Sequence, residues 1–148
     1  MVTPQTFLVP ITNSPASLEA VAVAAAIAKA RKGRVYLVHV IEVNRSLPLN
    51  AEMDAEARRG EQVIRKAEAA ALEAGCNVTG TLVQAREAGA AIVDEAQDRS
   101  ADAIIMGVGY KRLTGSFQVG RTVEHVLRNA TCAVWVVRQS VAASHQHE

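Results

Sequence analysis

Between Gly107 and Thr122 the chain sets four glycines, Gly107, Gly109, Gly115 and Gly120, among Lys111, Arg112, Thr114, Ser116, Arg121 and Thr122. Residues of these types suit one task together, the holding of an anion. Glycine lets backbone amides approach a ligand closely, hydroxyl and guanidinium groups donate hydrogen bonds, and a helix starting after the loop adds partial positive charge. Val119 to Asn129 has that helical spacing, with Val123, Val126 and Leu127 predicted on one side.

Two common phosphate signatures are excluded. A P-loop needs Lys followed by Ser or Thr directly after its last glycine, but Ser116 follows Gly115 and Arg121 follows Gly120. A dinucleotide fingerprint would begin at Gly107 and Gly109, yet Arg112 holds the third glycine's place. Catalysis finds little support, with no GxSxG elbow and no His and Asp placed as a triad. The hydroxyls of Thr114, Ser116 and Thr122 leave slow autophosphorylation or hydrolysis as the least favoured reading. Histidines and cysteines have no metal-ligand spacing. His39 lies in an apolar run and reads as a hydrogen-bonded core residue, whereas His125 reads as surface. Cys76 and Cys132 read as inert thiols of a reduced compartment.

The elements that must position the loop follow from periodicity. Phe7 to Ile11 is an apolar strand, with Pro10 expected near its end. Ser14 and Pro15 are a helix start, capping residue then first-turn proline, and Gly33 is the expected stop. Arg34 to Ile41 is nearly continuous in apolar residues, as a strand covered on both faces should be. A helix over 51–74 follows, with Val63, Ala67, Ala70, Ala71 and Leu72 facing inward and Gly75 as cap. Then come a strand over 77–83, a helix over 89–99, a strand from Ala103 that stops at Gly107, the loop, its helix, and a last strand over 133–137. Alternating strands and helices dictate an α/β fold with a parallel sheet covered on both faces. In such sheets the ligand crevice lies at the carboxyl ends of the strands, where strand order reverses.

The chain has 148 residues, 49% of them apolar, which is enough for one domain over 1–148, with 139–148 as a flexible tail. A net charge of +1 and an aromatic content of 3% argue against nucleic acid as partner. No leader or membrane span is read, so a soluble, cytoplasmic protein is expected.

Gly107, the long loop, Gly120 and the run Thr122-Val123-Glu124-His125-Val126-Leu127-Arg128 resemble the end of a universal stress protein domain. The strand FLVPIT with Ser14 beyond it, the strand VYLVHVIEV and the terminal CAVWVVR resemble that family's matching segments, so the likeness spans the chain. The resemblance implies an open twisted five-stranded parallel sheet, order 3-2-1-4-5, of the adenine nucleotide alpha hydrolase-like type. It also implies an adenine nucleotide, AMP, ADP or ATP, held by Pro10, Ile11, Thr12, Val40, Met106, Gly107, Gly109, Tyr110, Gly120, Arg121 and Thr122. No metal is required, though ATP could bring Mg2+. A two-fold homodimer through Val134 to Val137 is implied as well.

The site departs from the pattern of ATP-binding members in three places. Tyr110 stands at the second glycine, Arg121 follows Gly120 where Ser or Thr is usual, and Thr12 replaces an acidic residue. In one reading the pocket survives in altered form: backbone at Val40 reads adenine, Thr12 bonds the ribose, and Arg121 pairs with a phosphate, with Arg86 nearby. In the other, Tyr110 and Arg121 fill the phosphate space and the chain is a nucleotide-free interaction module. The first is preferred, with AMP or ADP as good a fit as ATP.

Overall fold

The structure is a computed structural model of the chain and describes residues 5–110 and 119–140. Five strands and four helices alternate: β1 (Thr6–Pro10), α1 (Pro15–Arg31), β2 (Arg34–Glu42), α2 (Asp54–Glu73), β3 (Thr79–Ala85), α3 (Ala88–Asp98), β4 (Ala103–Val108), α4 (Arg121–Asn129) and β5 (Ala133–Arg138). All pairings are parallel, in the order β3-β2-β1-β4-β5. The order reverses between β1 and β4, as the resemblance implies.

Alternation along the strands splits the core into two layers. Phe7, Val9, Leu37 and Ile105 face α1 and α2, burying Ala20, Ala24, Ala28, Ile64, Ala67 and Ala71. Leu8, Val38, Ile104 and Met106 face the other way, against Ile92 and Val93 of α3 and Val123 and Val126 of α4. Helices therefore cover both faces. The alanines of α1 keep it close to the sheet, because a short side chain sets a short interaxial distance.

Several local expectations shift. On α2 the buried stripe is Gly60, Ile64, Ala67 and Ala71, which leaves Leu72 66% exposed. On α4 Val123 and Val126 are buried, while Leu127 is 51% exposed. Both leucines sit one residue, about 100° of helix, past the last buried position. β3 lies two residues further along than expected, because its register with β2 pairs Tyr36 with Thr79 and Glu42 with Ala85. β4 continues through Gly107, which pairs with Val137. The left-handed residue that ends α1 is Lys32, φ 55°, rather than Gly33, whereas Gly75 does take φ 81° after α2.

One exposed side chain ties the chain's first strand to the turn before β4. The Asp102 carboxylate accepts the N–H groups of Gln5 and Thr6, both at 2.9 Å. Those two bonds hold its carboxyl below the ordinary aspartate range, outweighing a slight burial that acts the other way. Stability from a depressed carboxyl is present above the unfolded-state pKa and is lost as pH falls through the folded one. Asp102→Asn should therefore cost about 1 kcal/mol at neutral pH, less at high salt because the group is exposed. In urea titrations the gap from wild type should close below the carboxylate range; a gap constant with pH would contradict this role.

Candidate functional site

All four helices begin at the carboxyl edge of the sheet. The starts of α1, α3 and α4 border the strand-order reversal, while α2, with Met53 as N-cap and no capping bond from it, starts farther along the edge. At α1, Ser14 is the N-cap, in extended backbone, and its Oγ accepts Ser17 N–H at 3.3 Å, as Ser14-Pro15 predicts. At α3, no capping side chain comes from the N-cap itself, but Glu42 at the end of β2 accepts Ala88 N–H at 2.9 Å. At α4, the N-cap is Gly120, which has no side chain to cap the helix. Two of the helix ends that border the cavity are thus capped from within the chain, and among the described residues no side chain caps α4.

Between these starts lies a cavity of about 180 Å³. Pro10, Ile11 and Thr12 close it from β1, Val38 and Val40 from β2, Met106 and Gly107 from β4. Ser17 of α1, Ala88 and Ile92 of α3, and Thr122 and Val123 of α4 complete the lining. No ionisable side chain is among them. Its polar groups are three hydroxyls and backbone, so the cavity suits a flat neutral group, with charge kept at the rim.

The β1–α1 turn is held by a cluster of hydroxyls. Thr12 N–H donates to Ser17 Oγ at 2.9 Å, and Thr12 Oγ1 lies 3.1 Å from Ser14 Oγ and 3.2 Å from Ser17 Oγ. Ser17 is only 4% exposed. A hydroxyl offers one proton and two lone pairs, so Thr12 can serve this cluster and a ligand hydroxyl together. Deeper in the same edge, Nδ1 of His39 donates to the Ile11 carbonyl at 2.9 Å, the satisfied core histidine the sequence predicts.

Gly107 owes its identity to packing. A Cβ there would collide with the carbonyl of Ala16, so only glycine lets α1 start directly against β4. Gly120 differs: its φ of −68° suits any residue, and no described atom lies within 4 Å of a Cβ placed on it.

Of the eleven predicted site residues, Pro10, Ile11, Thr12, Val40, Met106, Gly107 and Thr122 line the cavity. Gly109, Tyr110, Gly120 and Arg121 do not. Tyr110 lies instead under the Arg138 guanidinium, 5.0 Å from ring centroid to Cζ, at the end of β5. Arg121 is the exposed first residue of α4, whose first turn also carries Glu124. Arg86 is spent on the loop after β2, donating to the carbonyls of Asn44 and Leu47 at 2.8 Å each. Lys111, Arg112, Thr114, Gly115 and Ser116, and the tail histidines 145 and 147, lie outside the described residues. Sequence reasoning missed Ser17, Val38, Ala88, Ile92 and Val123 as lining. Only Ser17 left a usable signal, three residues after a helix-capping Ser.

Among the described residues no group of three or more His, Cys, Asp and Glu could hold a metal ion, and no helix is long and apolar enough to cross a membrane. Burial pushes the thiols of Cys76 and Cys132 up, away from the reactive thiolate form.

A parallel sheet covered on both faces, with a cavity where its strand order reverses, defines a doubly wound α/β domain. The chain belongs to the universal stress protein family, whose model matches residues 4–138. It is 30% identical over 138 residues to Universal stress protein MJ0531 of Methanocaldococcus jannaschii, which covers 89% of this chain and 81% of that one. The structure of the universal stress protein from Archaeoglobus fulgidus in complex with dAMP superposes with a TM-score of 0.70 at 20% identity, over 92% of this chain and 98% of that one. A universal stress protein in complex with cAMP gives a TM-score of 0.72 at 23% identity, over 94% and 100%.

The contrast between the two glycines is open to test by one replacement at each. Gly107→Ser should cost roughly 1–3 kcal/mol in urea denaturation, because the side chain must displace α1. Gly120→Ser should be neutral or add a few tenths, roughly 0.3 kcal/mol, because Ser is the better N-cap. Equal costs at the two positions would contradict the packing role of Gly107.

Proposed function

We propose that this protein is a single-domain cytoplasmic regulator that binds an adenine nucleotide, with the base in the cavity at the β1–β4 reversal. The phosphate lies at the start of α4, before Gly120, Arg121 and Thr122, where uncapped amides and a guanidinium meet it. Thr12 bonds the ribose, and backbone at Val40 reads the base edge. The observation that carries this reading is the cavity at the reversal: no ionisable side chain lines it, the α1 and α3 starts beside it are capped from within, and α4, which no described side chain caps, opens with the exposed Arg121. The dAMP and cAMP complexes of relatives with this fold support it.

A cavity of about 180 Å³ is small beside the ~300–1,000 Å³ of sites that enclose a drug-sized ligand. It accommodates the base end, leaving ribose and phosphate at the rim. Short phosphate chains therefore fit as well as long ones, and the chain acts by holding a ligand rather than by turning one over. With ATP, Mg2+ would accompany the phosphates.

Isothermal titration with AMP, ADP, ATP and adenosine tests the reading. AMP should give saturable heat. Arg121→Gln should weaken AMP by about tenfold, the worth of one charge-assisted hydrogen bond, and leave adenosine unchanged. The absence of heat from every nucleotide at high protein concentration would sink the reading and favour a nucleotide-free interaction module.

The homodimer belongs to the same proposal. β5 is an edge strand whose described backbone pairs only with β4, and its Val136 is 41% exposed. Trp135 is turned inward, with its ring 5.6 Å from that of Phe7. Sedimentation should find a dimer that Val136→Lys converts to monomer; a wild-type monomer at micromolar concentration would refute the pairing.

A further inference from the structure

Behind the β1–β2 edge, on the α2 side, a groove of about 560 Å³ separates the end of β2 from α2. A recess of about 130 Å³ continues it to the start of α1, and the two share Asn13, Val63 and Lys66. Val40 borders this trough and also the nucleotide cavity, so the two spaces lie back to back across one strand.

The α2 wall is a single stripe, Glu56, Arg59, Val63 and Lys66, spaced three, four and three residues apart. Arg59 and Lys66 are exposed, and neither forms an ion pair or a side-chain hydrogen bond among the described residues. On the same helix Arg65, pointing elsewhere, pairs with Glu61 at 3.3 Å. The facing wall is His39. Because its Nδ1 donates to a carbonyl, the neutral ring presents Nε2 as an acceptor. That ring edge packs over Gly60, where a Cβ would stand 2.7 Å from Cδ2, so the missing side chain keeps the imidazole close against α2. Ile41 and Val63 give the trough an apolar floor.

Two unpaired cations, a neutral acceptor and an apolar floor describe one kind of ligand. Nucleic acid is a poor fit, because the stripe holds only two cations and Glu42 and Glu56 border the same groove. We propose that the trough is a second ligand site, for a small organic oxyanion: its anionic group pairs with Lys66 in the recess, its apolar body lies on Ile41 and Val63, and a hydroxyl or N–H donates to His39 Nε2. Arg59, about 10 Å along the helix from Lys66, receives any second anionic group. The groove lies on the α2 face of the sheet, while the recess beside Lys66 shares Ile11, Thr12 and Ser17 with the nucleotide cavity, so the test must separate the two readings.

The test is a titration of the full chain, first saturated with AMP, followed by backbone amide NMR. Phenyl phosphate and benzoate serve as probes, with phenol as the uncharged control. Both anions should shift the Asn13, His39 and Val63 signals saturably at millimolar concentration. The response to phenyl phosphate against benzoate then tells phosphate esters from carboxylates as the natural class. Lys66→Gln should weaken both anions about tenfold, and Lys66→Arg should restore most of the loss. The proposal is overturned if no saturable shift occurs in the trough, if phenol binds as well as the anions, or if the shifts fall only on Met106 to Thr122. Should AMP fail to bind, the same titration on the free chain decides the trough by the same three criteria, so the two readings fail separately.

Discussion

The carbonyl of Ala16 lies where any side chain on residue 107 would have to go, and much of the functional edge depends on that contact. It lets the first turn of α1 abut β4 in the interval where the strand order turns back on itself. Ser17, Thr12 and Gly107 then come to one cavity wall, and α4 closes the opposite side through Thr122 and Val123. A longer helix-to-strand spacing would open this wall to water. In the dinucleotide-binding fold a glycine likewise serves helix–strand packing rather than ligand contact, and the physical demand here is the same.

Charge at this edge is distributed by the caps. A carboxylate from β2 and a hydroxyl from the β1–α1 turn quiet two helix starts, so the cavity between them stays free of net charge. Such a lining favours a neutral ring over an ion, because a buried charge without a partner is costly. Of the helix starts that border the cavity, the one no described side chain caps is α4, where Arg121 is exposed. The geometry sets an apolar compartment without ionisable side chains beside an exposed rim with Arg121, the polarity that the proposed nucleotide requires.

How far the sequence carries this account depends on the kind of signal. Ser14-Pro15 and the apolar runs of β1, β2 and β4 are local signals, and the folded chain keeps them. The inward assignment of Leu72 and Leu127 fails because hydrophobicity outvotes angle there: small residues at 67 and 71, and Val126, already fill the stripe. The identity of Gly107 is visible in sequence, but its reason is a contact with a residue 91 positions away, which no window can reveal. Tyr110 reads as an intruder on the phosphate space because its ring direction is unknown; in the fold Arg138 draws it toward β5. Ala88 and Ile92 carry no chemistry to mark them and become lining only when α3 docks. The order of the strands came from family likeness, since alternation alone permits several.

The most direct measurement of the central claim is a crystal structure of this chain grown with AMP. The account predicts the adenine ring in the cavity between Val40 and Met106, with the phosphate before Gly120 and within hydrogen-bond reach of the first amides of α4. An adenine ring bound elsewhere, or a phosphate that turns away from α4 to another helix start, would contradict it.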